Sequence, residues 1–268
     1  MQFHLLILPV CLALLFYSCT PDDATPVQMP ALSERAMLWS DEFDSNSLDT
    51  TVWNYELGDG CPNLCGWGNN ERQVYTSTNH EFRDGKLVIT ARKVGEEYSS
   101  TRLTTKDKKS FQYGRIEARA KLPIGEGLWP AFWMLGQNID EVQWPMCGEI
   151  DIIEYVGREP GKVFTSLHTK ANFGNTANTK QTRFTDIEQG FHRYAAEWAE
   201  KQIDFFVDDQ HVYTFHPKER TEEVWPFKQP FYILLNLAIG GNLGGPEVDD
   251  SIFPQEFIID YVRVYAPE

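Results

Sequence analysis

Short apolar segments recur along most of the chain, and this pattern predicts β-strands rather than helices. Most of the segments are bounded by Gly, Pro, Asn or Asp, which favour turns. Beyond the N-terminal apolar run, no long stretch keeps the 3.6-residue apolar repeat of an amphipathic helix. So many short strands in one domain predict an all-β fold, a sandwich or jelly roll of two antiparallel sheets. The predicted strands are residues 87–91, 114–122, 131–135, 149–156, 164–168, 193–198, 203–207, 212–215, 231–238 and 257–265.

One predicted strand has two different faces. In GRIEARAKL, polar side chains from Arg115 to Lys121 alternate with apolar side chains from Ile116 to Leu122. One face therefore packs in the core. The other is either solvated or the floor of a groove lined by Arg and Glu, and this strand alone leaves both interpretations open.

A second segment, GEIDIIEYVG, carries Glu149, Asp151 and Glu154 among residues as apolar as a buried strand. Burial of a carboxylate costs several kcal/mol unless the group is paired or its pKa moves. On a regular strand Glu149 and Asp151 share a face, and Glu154 points to the other side. One extra residue returns Glu154 to the shared face. We therefore predict a β-bulge at Ile152-Ile153 and a row of three carboxylates.

Such a row suits the hydrolysis of glycosidic bonds. Two carboxyl groups about 5 to 5.5 Å apart serve as nucleophile and general acid/base in a retaining mechanism. Asp151 between two glutamates disfavours full ionisation of the row, so that one proton is retained near neutral pH. The alternative is a calcium-binding or structural carboxylate cluster, although the chain contains neither an EF-hand loop nor a His-Glu-x-x-His pair.

Aromatic side chains precede the carboxylates. Trp129 and Trp133 lie in GLWPAFWM, and Trp144 lies between them and the carboxylates. Indole rings are good platforms for the apolar faces of sugar rings, although tryptophans are more often core residues. His168 ends a neighbouring predicted strand, where it is either structural or hydrogen-bonded to the site.

The acidic composition narrows the choice of partners. The 268 residues include 39 Asp and Glu against 24 Lys and Arg, which gives a formal net charge of −15. This charge repels nucleic-acid phosphates and anionic membrane surfaces, so we expect a neutral substrate and no nucleic-acid partner. With 42% hydrophobic residues, the chain can bury a full core.

The N-terminal residues are expected to direct export. Residues 5–17 form an apolar run that is too short to cross a bilayer as a helix but suits a signal peptide, predicted over residues 1–18. The sequence before Cys19 resembles a bacterial lipobox, which predicts a lipid anchor on Cys19 and an outer-membrane or cell-surface lipoprotein. The alternative is an ordinary signal peptide and a secreted product.

The remaining chain divides into a tether and one domain. Residues 19–34 are rich in Pro, Asp and Thr and are predicted to be a flexible linker. Residues 35–268 contain no repeat and no shift in composition, and are predicted to form the catalytic domain.

The cysteines fit an oxidising compartment. Cys61 and Cys65 lie close together in a Gly-rich loop, and a small disulfide is the first interpretation, with a metal site as the competing one. Cys147 is expected to be a small buried hydrophobic residue rather than a nucleophile.

Several motifs together resemble glycoside hydrolase family 16, most closely its bacterial laminarinases, the endo-1,3-β-glucanases. The resemblance covers residues 38–266 and implies a monomeric β-jelly-roll with a substrate cleft on its concave face. It also implies retention of anomeric configuration without a catalytic cofactor. The motifs are GWGNNE, YGRIEARAKLP, GLWPAFWMLG, GEIDIIEYVG, NLAIGG and IDYVRVY.

The resemblance also assigns roles to individual residues. It implies that Glu149 is the nucleophile, Asp151 its assisting carboxylate and Glu154 the acid/base. A structural calcium is implied at Glu42, Gly85 and Asp260, since calcium prefers oxygen ligands. The residues implied to line the substrate subsites are Asn70, Arg115, Trp129, Trp133 and His168.

The bulged form of the carboxylate motif does not fix the substrate. Laminarinases share this form with agarases and carrageenases. Family members with a compact Glu-x-Asp-x-Glu motif, without the extra residue, resemble mixed-linkage lichenases. The flanking motifs favour a laminarin-type β-1,3-glucan over a mixed-linkage glucan or agar, and the acidic charge disfavours a sulfated galactan. A non-catalytic glucan-binding protein is the other alternative, although all three carboxylates are present. Leu243 stands where laminarinases usually carry Trp, so that one stacking contact is expected to be missing.

Overall fold

β-Strands are the main secondary structure of the computed structural model, which describes residues 35–268. The strands are β1 (Met37–Asp41), β2 (Asn54–Tyr55), β3 (Gln73–Tyr75), β4 (His80–Phe82), β5 (Leu87–Val94), β6 (Glu97–Ser100), β7 (Arg102–Thr104), β8 (Ser110–Phe111), β9 (Gly114–Lys121), β10 (Leu128–Gly136), β11 (Glu149–Tyr155), β12 (Lys162–His168), β13 (Lys180–Arg183), β14 (His192–Trp198), β15 (Ile203–Val207), β16 (Gln210–Phe215), β17 (Phe231–Ile239) and β18 (Gln255–Tyr265).

The strands form two sheets. Sheet 1 has ten strands in the order β16-β15-β14-β9-β18-β5-β6-β3, with β1 beside β18 and β4 beside β5. Sheet 2 has eight strands in the order β13-β12-β11-β10-β17-β7-β2, with β8 beside β17. Among the described strands only β3 and β6 pair in parallel. The predicted all-β jelly-roll sandwich is confirmed.

The main core fills the space between the two sheets, because alternate residues of the central strands point inwards. Ile116 and Ala118 of β9 enter it from sheet 1, and Phe132 and Met134 of β10 enter it from sheet 2. All four are almost completely buried. Burial of a side chain the size of Phe132 stabilises the fold by about 1.5 to 3 kcal/mol.

Helices are few and short in residues 35–268. Two α-helical turns, α1 (Ile139–Val142) and α2 (Gly241–Gly244), follow β10 and β17 respectively, and two 3-10 segments lie at Cys65–Gly68 and Asp250–Ile252. None of the described helices has the length and hydropathy needed to span a bilayer. The predicted signal peptide (1–18), Cys19 and the linker (19–34) lie outside the described residues, so that these domain boundaries stay predictions.

Candidate active site

Three carboxylates lie on the side of β11 that faces away from the core. Ile150 and Tyr155 of the same strand point into the core and are fully buried. Glu149, Asp151 and Glu154 take the opposite side, and only Glu149 keeps more than a small exposed fraction. This side of β10, β11, β12 and β17 in sheet 2 is called the carboxylate face below.

The β-bulge predicted at Ile152-Ile153 is present. Both residues oppose Thr165 alone on β12, and Ile152 is left without a partner on β10. The hydroxyl of Thr165 donates to the carbonyl of Ile152 at 3.2 Å, which satisfies a buried acceptor at the irregular point of the ladder. The bulge places Glu154 on the same face as the other two carboxylates.

Two tryptophans hold the glutamates at opposite ends of the row. Nε1 of Trp144 donates to Oε2 of Glu149 at 2.7 Å. Nε1 of Trp129 donates to Oε1 of Glu154 at 3.0 Å. A donor aimed at a carboxylate stabilises its ionised form and fixes its rotamer. The two indoles therefore orient the outer carboxylates independently of each other.

Asp151 lies between the glutamates and beside His168. Nε2 of His168 is 3.3 Å from Oδ2 of Asp151 and 3.8 Å from Oε1 of Glu149. The shorter contact is electrostatic, since Oδ2 has no aligned hydrogen-bond partner. The backbone N–H of Gly174 donates to Nδ1 of His168 at 3.1 Å. Because Nδ1 accepts this bond, the neutral ring carries its proton on Nε2, on the side of the carboxylates.

Burial and mutual repulsion raise the pKa of two carboxyl groups. Burial, followed by the charge and the hydrogen bond of Glu149, raises the pKa of Asp151 well above its usual value. Burial, followed by the charge of Asp151, raises the pKa of Glu154 to about 8, although His168 and the Trp129 hydrogen bond act in the other direction. The row therefore keeps a proton at neutral pH, in agreement with the expectation from three adjacent carboxylates.

This arrangement can perform acid–base and nucleophilic chemistry. Glu154 is a proton donor at neutral pH, and Glu149 offers a carboxylate oxygen at the other end of the row. Donor atoms of Glu149, Asp151 and His168 also lie within 4.8 Å of one another, a spacing that a cation would accept. Acidic groups alone do not define a metal site, and none is assigned to the row.

Trp133 faces the same side and is fixed by a chain of hydrogen bonds. Its Nε1 donates to Oδ1 of Asn236 at 2.7 Å. Nδ2 of Asn236 donates to the hydroxyl of Tyr75 at 3.1 Å, and this hydroxyl donates to Glu71 at 3.0 Å. The chain runs from the loop before β3 to β10, so that Trp133 has a defined orientation next to Asp151, its cross-strand partner.

Arg102 lies between Trp67 and Trp133, and neither Arg102 nor Trp67 was predicted to be a site residue. The guanidinium of Arg102 lies 4.5 Å from the centroid of the Trp67 ring and 4.9 Å from that of the Trp133 ring. Nε of Arg102 also donates to Glu56. An Arg between two indoles is held by cation–π attraction as well as by its ion pair.

Asn70 lies in an exposed loop at the end of the carboxylate face where β17 runs into α2. Its Nδ2 donates to Oδ1 of Asn242 at 2.7 Å, and the backbone N–H of Asn242 donates to the carbonyl of Asn69. Gly241 fits between this loop and Trp129, because a Cβ there would lie 2.8 Å from the carbonyl of Asn69. The structure thus brings Asn70, Trp129, Trp133 and His168 to the carboxylate face.

The prediction that Arg115 lines a substrate subsite is wrong. Arg115 lies on β9 in sheet 1, on the side away from the core, and is fully buried. It donates to Glu117 at 2.5 and 2.9 Å and to Glu197 at 2.9 Å. Neighbouring carboxylates neutralise and cover the guanidinium of Arg115. At Arg115 the polar face of β9 is therefore neither exposed to solvent nor part of the substrate groove.

The three residues implied to bind calcium lie around the start of β5 and the middle of β18. Asp260 accepts from Arg119 at 2.5 Å and lies 3.5 Å from Nζ of Lys86, the residue after Gly85. Glu42 accepts two bonds from Arg263, at 2.8 and 2.9 Å. The hydrogen bond from Arg263 lowers the pKa of Glu42, and the negative charge of Asp260 acts in the opposite direction. Both carboxylates are thus engaged by cationic side chains.

The disulfide interpretation of Cys61 and Cys65 is confirmed. The two residues are bonded to each other in the loop that precedes Trp67. Cys147 is a free, fully buried thiol, and burial raises its pKa to about 12. It packs with Leu135 and Leu234 in a small apolar cluster that is separate from the main core and contacts Trp133. Its burial agrees with a packing role rather than a nucleophilic one.

Known proteins resemble this chain over most of its length. Residues 68–261 match the family described as glycosyl hydrolases family 16. A β-glucanase of Rhodothermus marinus is 43% identical over 247 residues, which cover 85% of this chain and 84% of that protein. The crystal structure of a laminarinase from Flavobacterium sp. UMI-01 is 66% identical, with a TM-score of 0.84, covering 85% of this chain and 99% of that chain. The laminarinase catalytic domain of Thermotoga maritima is 40% identical, with a TM-score of 0.82, covering 87% and 99%.

Proposed function

This chain belongs to family 16 of the glycosyl hydrolases, and from that premise we propose that it hydrolyses internal 1,3-β-glucosidic bonds of laminarin-type β-glucans with retention of anomeric configuration. The observation that carries the proposal is the row on β11, in which Glu149, Asp151 and Glu154 share one face. A family-16 hydrolase needs no catalytic cofactor. The names of the two laminarinases favour a 1,3-glucan as the substrate.

The first half of the reaction forms a covalent intermediate. Oε of Glu149 attacks C1 of the sugar, and the bond from C1 to the glycosidic oxygen breaks. Glu154 gives its proton to that oxygen, so that the leaving chain departs as a neutral alcohol. Trp144 orients Glu149, while Asp151 and the raised pKa of Glu154 keep the acid protonated before attack.

The second half releases the sugar. Glu154, now a carboxylate, takes a proton from a water molecule, and the water oxygen attacks C1 as the ester bond to Glu149 breaks. Two displacements at C1 restore the original configuration. Trp129 and Trp133 supply apolar platforms for sugar rings on the β10 side of the row, and Asn70 and His168 supply polar contacts.

A panel of polysaccharides tests the substrate. We expect the purified protein to release short oligosaccharides fastest from laminarin, more slowly from lichenan and barley β-glucan, and not at all from agarose. A preference for mixed-linkage glucan or agarose would retain the carboxylate roles and overturn the 1,3-glucan assignment. Binding of laminarin without any product would instead support a binding protein, as in the β-1,3-glucan-binding protein of Penaeus monodon, which is 28% identical.

The alkaline limb of the activity profile should report Glu154. The acid must be protonated to act, and its pKa is raised to about 8, so we expect kcat/KM on laminarin to fall as the pH rises through about 8. Trp129→Phe removes a hydrogen bond that favours the ionised form of Glu154. Its loss is expected to move the limb upwards by about one pH unit.

Trp133→Phe is the matched control for that shift. It also removes an indole N–H from β10, but the N–H of Trp133 donates to Asn236 rather than to a carboxylate. We expect Trp133→Phe to change kcat/KM while the limb stays at the wild-type pH. An equal shift in both variants would contradict the role of the Trp129 hydrogen bond.

A structural calcium at Glu42, Gly85 and Asp260 is proposed from the family resemblance and from the donor types. Two carboxylates and a backbone carbonyl suit calcium, but an ion would compete with Arg263, Arg119 and Lys86. No step of the reaction depends on it.

Thermal unfolding tests the calcium proposal. Calcium at 100 times its Kd would add about 2.7 kcal/mol of stability, which corresponds to a rise in Tm of roughly 5 to 10 °C over protein in chelator. Asp260→Asn should remove most of this rise. Identical melting curves in calcium and in chelator would contradict the site.

Attachment to a membrane through Cys19 is also proposed, with residues 1–18 as the signal peptide. We expect the full chain to be exported and to fractionate with membranes, and Cys19→Ala to be released in soluble form. A Cys19→Ala protein that still fractionates with membranes would contradict the lipid anchor.

A further inference from the structure

Two exposed aromatic side chains, Trp144 and Phe173, lie together beside the Glu149 end of the row, and this pair is called the corner below. Trp144 is 42% exposed and Phe173 is 49% exposed, although large apolar side chains usually bury more of their surface. Their ring centroids are 5.4 Å apart with planes at 81°, so that the edge of one ring meets the face of the other. The reaction described above uses the Trp144 N–H and leaves the exposed ring surfaces unused.

The loop that carries Phe173 is ordered by its own hydrogen bonds. Thr169 and Asn172 exchange backbone bonds at 2.9 and 3.0 Å. Oδ1 of Asn172 accepts from the backbone N–H of Ala177 at 3.1 Å, and the backbone N–H of Ala171 donates to the backbone carbonyl of Glu223 on another loop. Phe173 is therefore held out from the surface by a structured loop, and its exposure is a fixed feature of the loop.

The same corner contacts the carboxylate row at two points. Phe173 packs on Trp144, whose Nε1 binds Glu149. The next residue, Gly174, donates to His168, whose other ring nitrogen lies beside Asp151. The Trp144 ring also lies 6.0 Å from the His168 ring. The apolar surface of the corner is thus continuous with the reacting groups.

The corner lies on the other side of the row from the platforms described above. Trp129 and Trp133 are on β10, and Arg102 and Trp67 lie beyond them towards β7. Phe173 follows β12, which borders β11 on the opposite side. A polymer chain that crosses β11 at the carboxylates meets indoles on the β10 side and the corner on the β12 side.

We propose that Phe173, supported by Trp144, binds a glucosyl residue on the β12 side of the scissile bond and helps to determine which bond is cut. This inference rests on the proposed hydrolysis of β-glucans. The apolar face of a pyranose ring packs on an aromatic ring, while its hydroxyl groups remain solvated at the rim. Phe173 offers no hydrogen bond, so it favours a ring of suitable shape over any particular hydroxyl pattern.

Cleavage maps of laminari-oligosaccharides test the proposal. Wild type, Phe173→Ala and Phe173→Trp are compared on oligosaccharides of increasing length, with the reducing end labelled so that each product identifies the bond cut. For Phe173→Ala we expect kcat/KM on the longest oligosaccharides to fall about tenfold, mainly through KM, because the apolar contact between the ring and the sugar is lost. The loss in kcat/KM should become smaller as the oligosaccharide becomes shorter, and the preferred cleavage site should move by one residue. Phe173→Trp should restore both.

Controls separate the possible failures. Val94→Ala changes an exposed apolar residue next to the turn between β5 and β6 and should leave every rate unchanged. An equal loss on all lengths would mean that Phe173 acts on Glu149 through Trp144, and it would overturn the subsite. An unchanged map and unchanged kcat/KM would overturn it as well. Absence of cleavage by the wild type would instead refute the proposed function.

Discussion

Replacement of Glu149 with Ser is expected to lower kcat on laminarin by about 10⁴-fold or more while oligosaccharide binding persists. The substitution removes the only group that we assign to attack C1, and no water can form the same ester. The platforms at Trp129 and Trp133 are untouched, so Kd measured by calorimetry should stay within a few-fold of the wild-type value. Serine also leaves room beside C1 for a small anion.

Azide tests whether the loss is that of a nucleophile. With Glu149→Ser and a glucoside that has a good leaving group, azide should attack C1 directly and give the α-glucosyl azide, the product of a single displacement. Asp204→Ser, which changes a carboxylate on β15 in sheet 1, is the control and should retain wild-type kcat. Hydrolysis by Glu149→Ser at the wild-type rate would refute the assignment.

Glu154→Gln is expected to lower kcat on laminarin by about 10²- to 10⁴-fold, and by much less on substrates that need no proton at the leaving oxygen. Glutamine has the shape of the glutamic acid and can still accept the Trp129 hydrogen bond, but it cannot transfer a proton. On a dinitrophenyl glycoside the first step should stay fast and a glycosyl-enzyme should accumulate. Azide should then give the β-glucosyl azide, opposite in configuration to the product from Glu149→Ser. Equal losses on both substrates would contradict the acid role.

The same substitution should stabilise the fold at alkaline pH. The pKa of Glu154 rises from 4.5 to about 8 on folding, so the folded state binds the extra proton between these values. The free energy of unfolding therefore falls as the pH rises through this window, because ionisation is cheaper in the unfolded chain. Glu154→Gln cannot ionise, so its free energy of unfolding lacks this decrease. Its Tm should exceed that of the wild type at pH 8 and converge with it towards pH 4, which calorimetry at both pH values would measure.

The geometry of the row could be predicted from the sequence because only one local structure accommodates it. Three carboxylates cannot share a face at spacings of two and three residues unless a residue is inserted between the last two. Isoleucines on either side require that face to be the one away from the core. The bulge at Ile152-Ile153 follows from these two constraints alone.

The position of Arg115 could not be predicted in the same way. Alternation along β9 shows that Arg115 and Ile116 have opposite environments, but it does not show which sheet contains the strand. That depends on pairing with β14 and β18, which are far away in sequence. For this reason the role that the family resemblance implied for Arg115 placed the residue on the wrong sheet of the sandwich.

The missed residues had weak local signals. Arg102 lies on a three-residue strand, too short for an alternating pattern, and its stacking partners come from distant parts of the chain. Phe173 lies in a loop where a single exposed aromatic carries no periodicity. Only the fold brings these side chains next to the carboxylates.

The bulge on β11 also shows how a single codon separates two forms of the motif. Because Ile152 is the extra residue against both neighbouring strands, an in-frame deletion of its codon would leave two uninterrupted ladders with all three carboxylates on one face. The deletion would remove a side chain that is only 2% exposed, at a cost of about 2 to 5 kcal/mol. A chain without this residue would thus need compensating changes in the core but no relocation of the reacting groups.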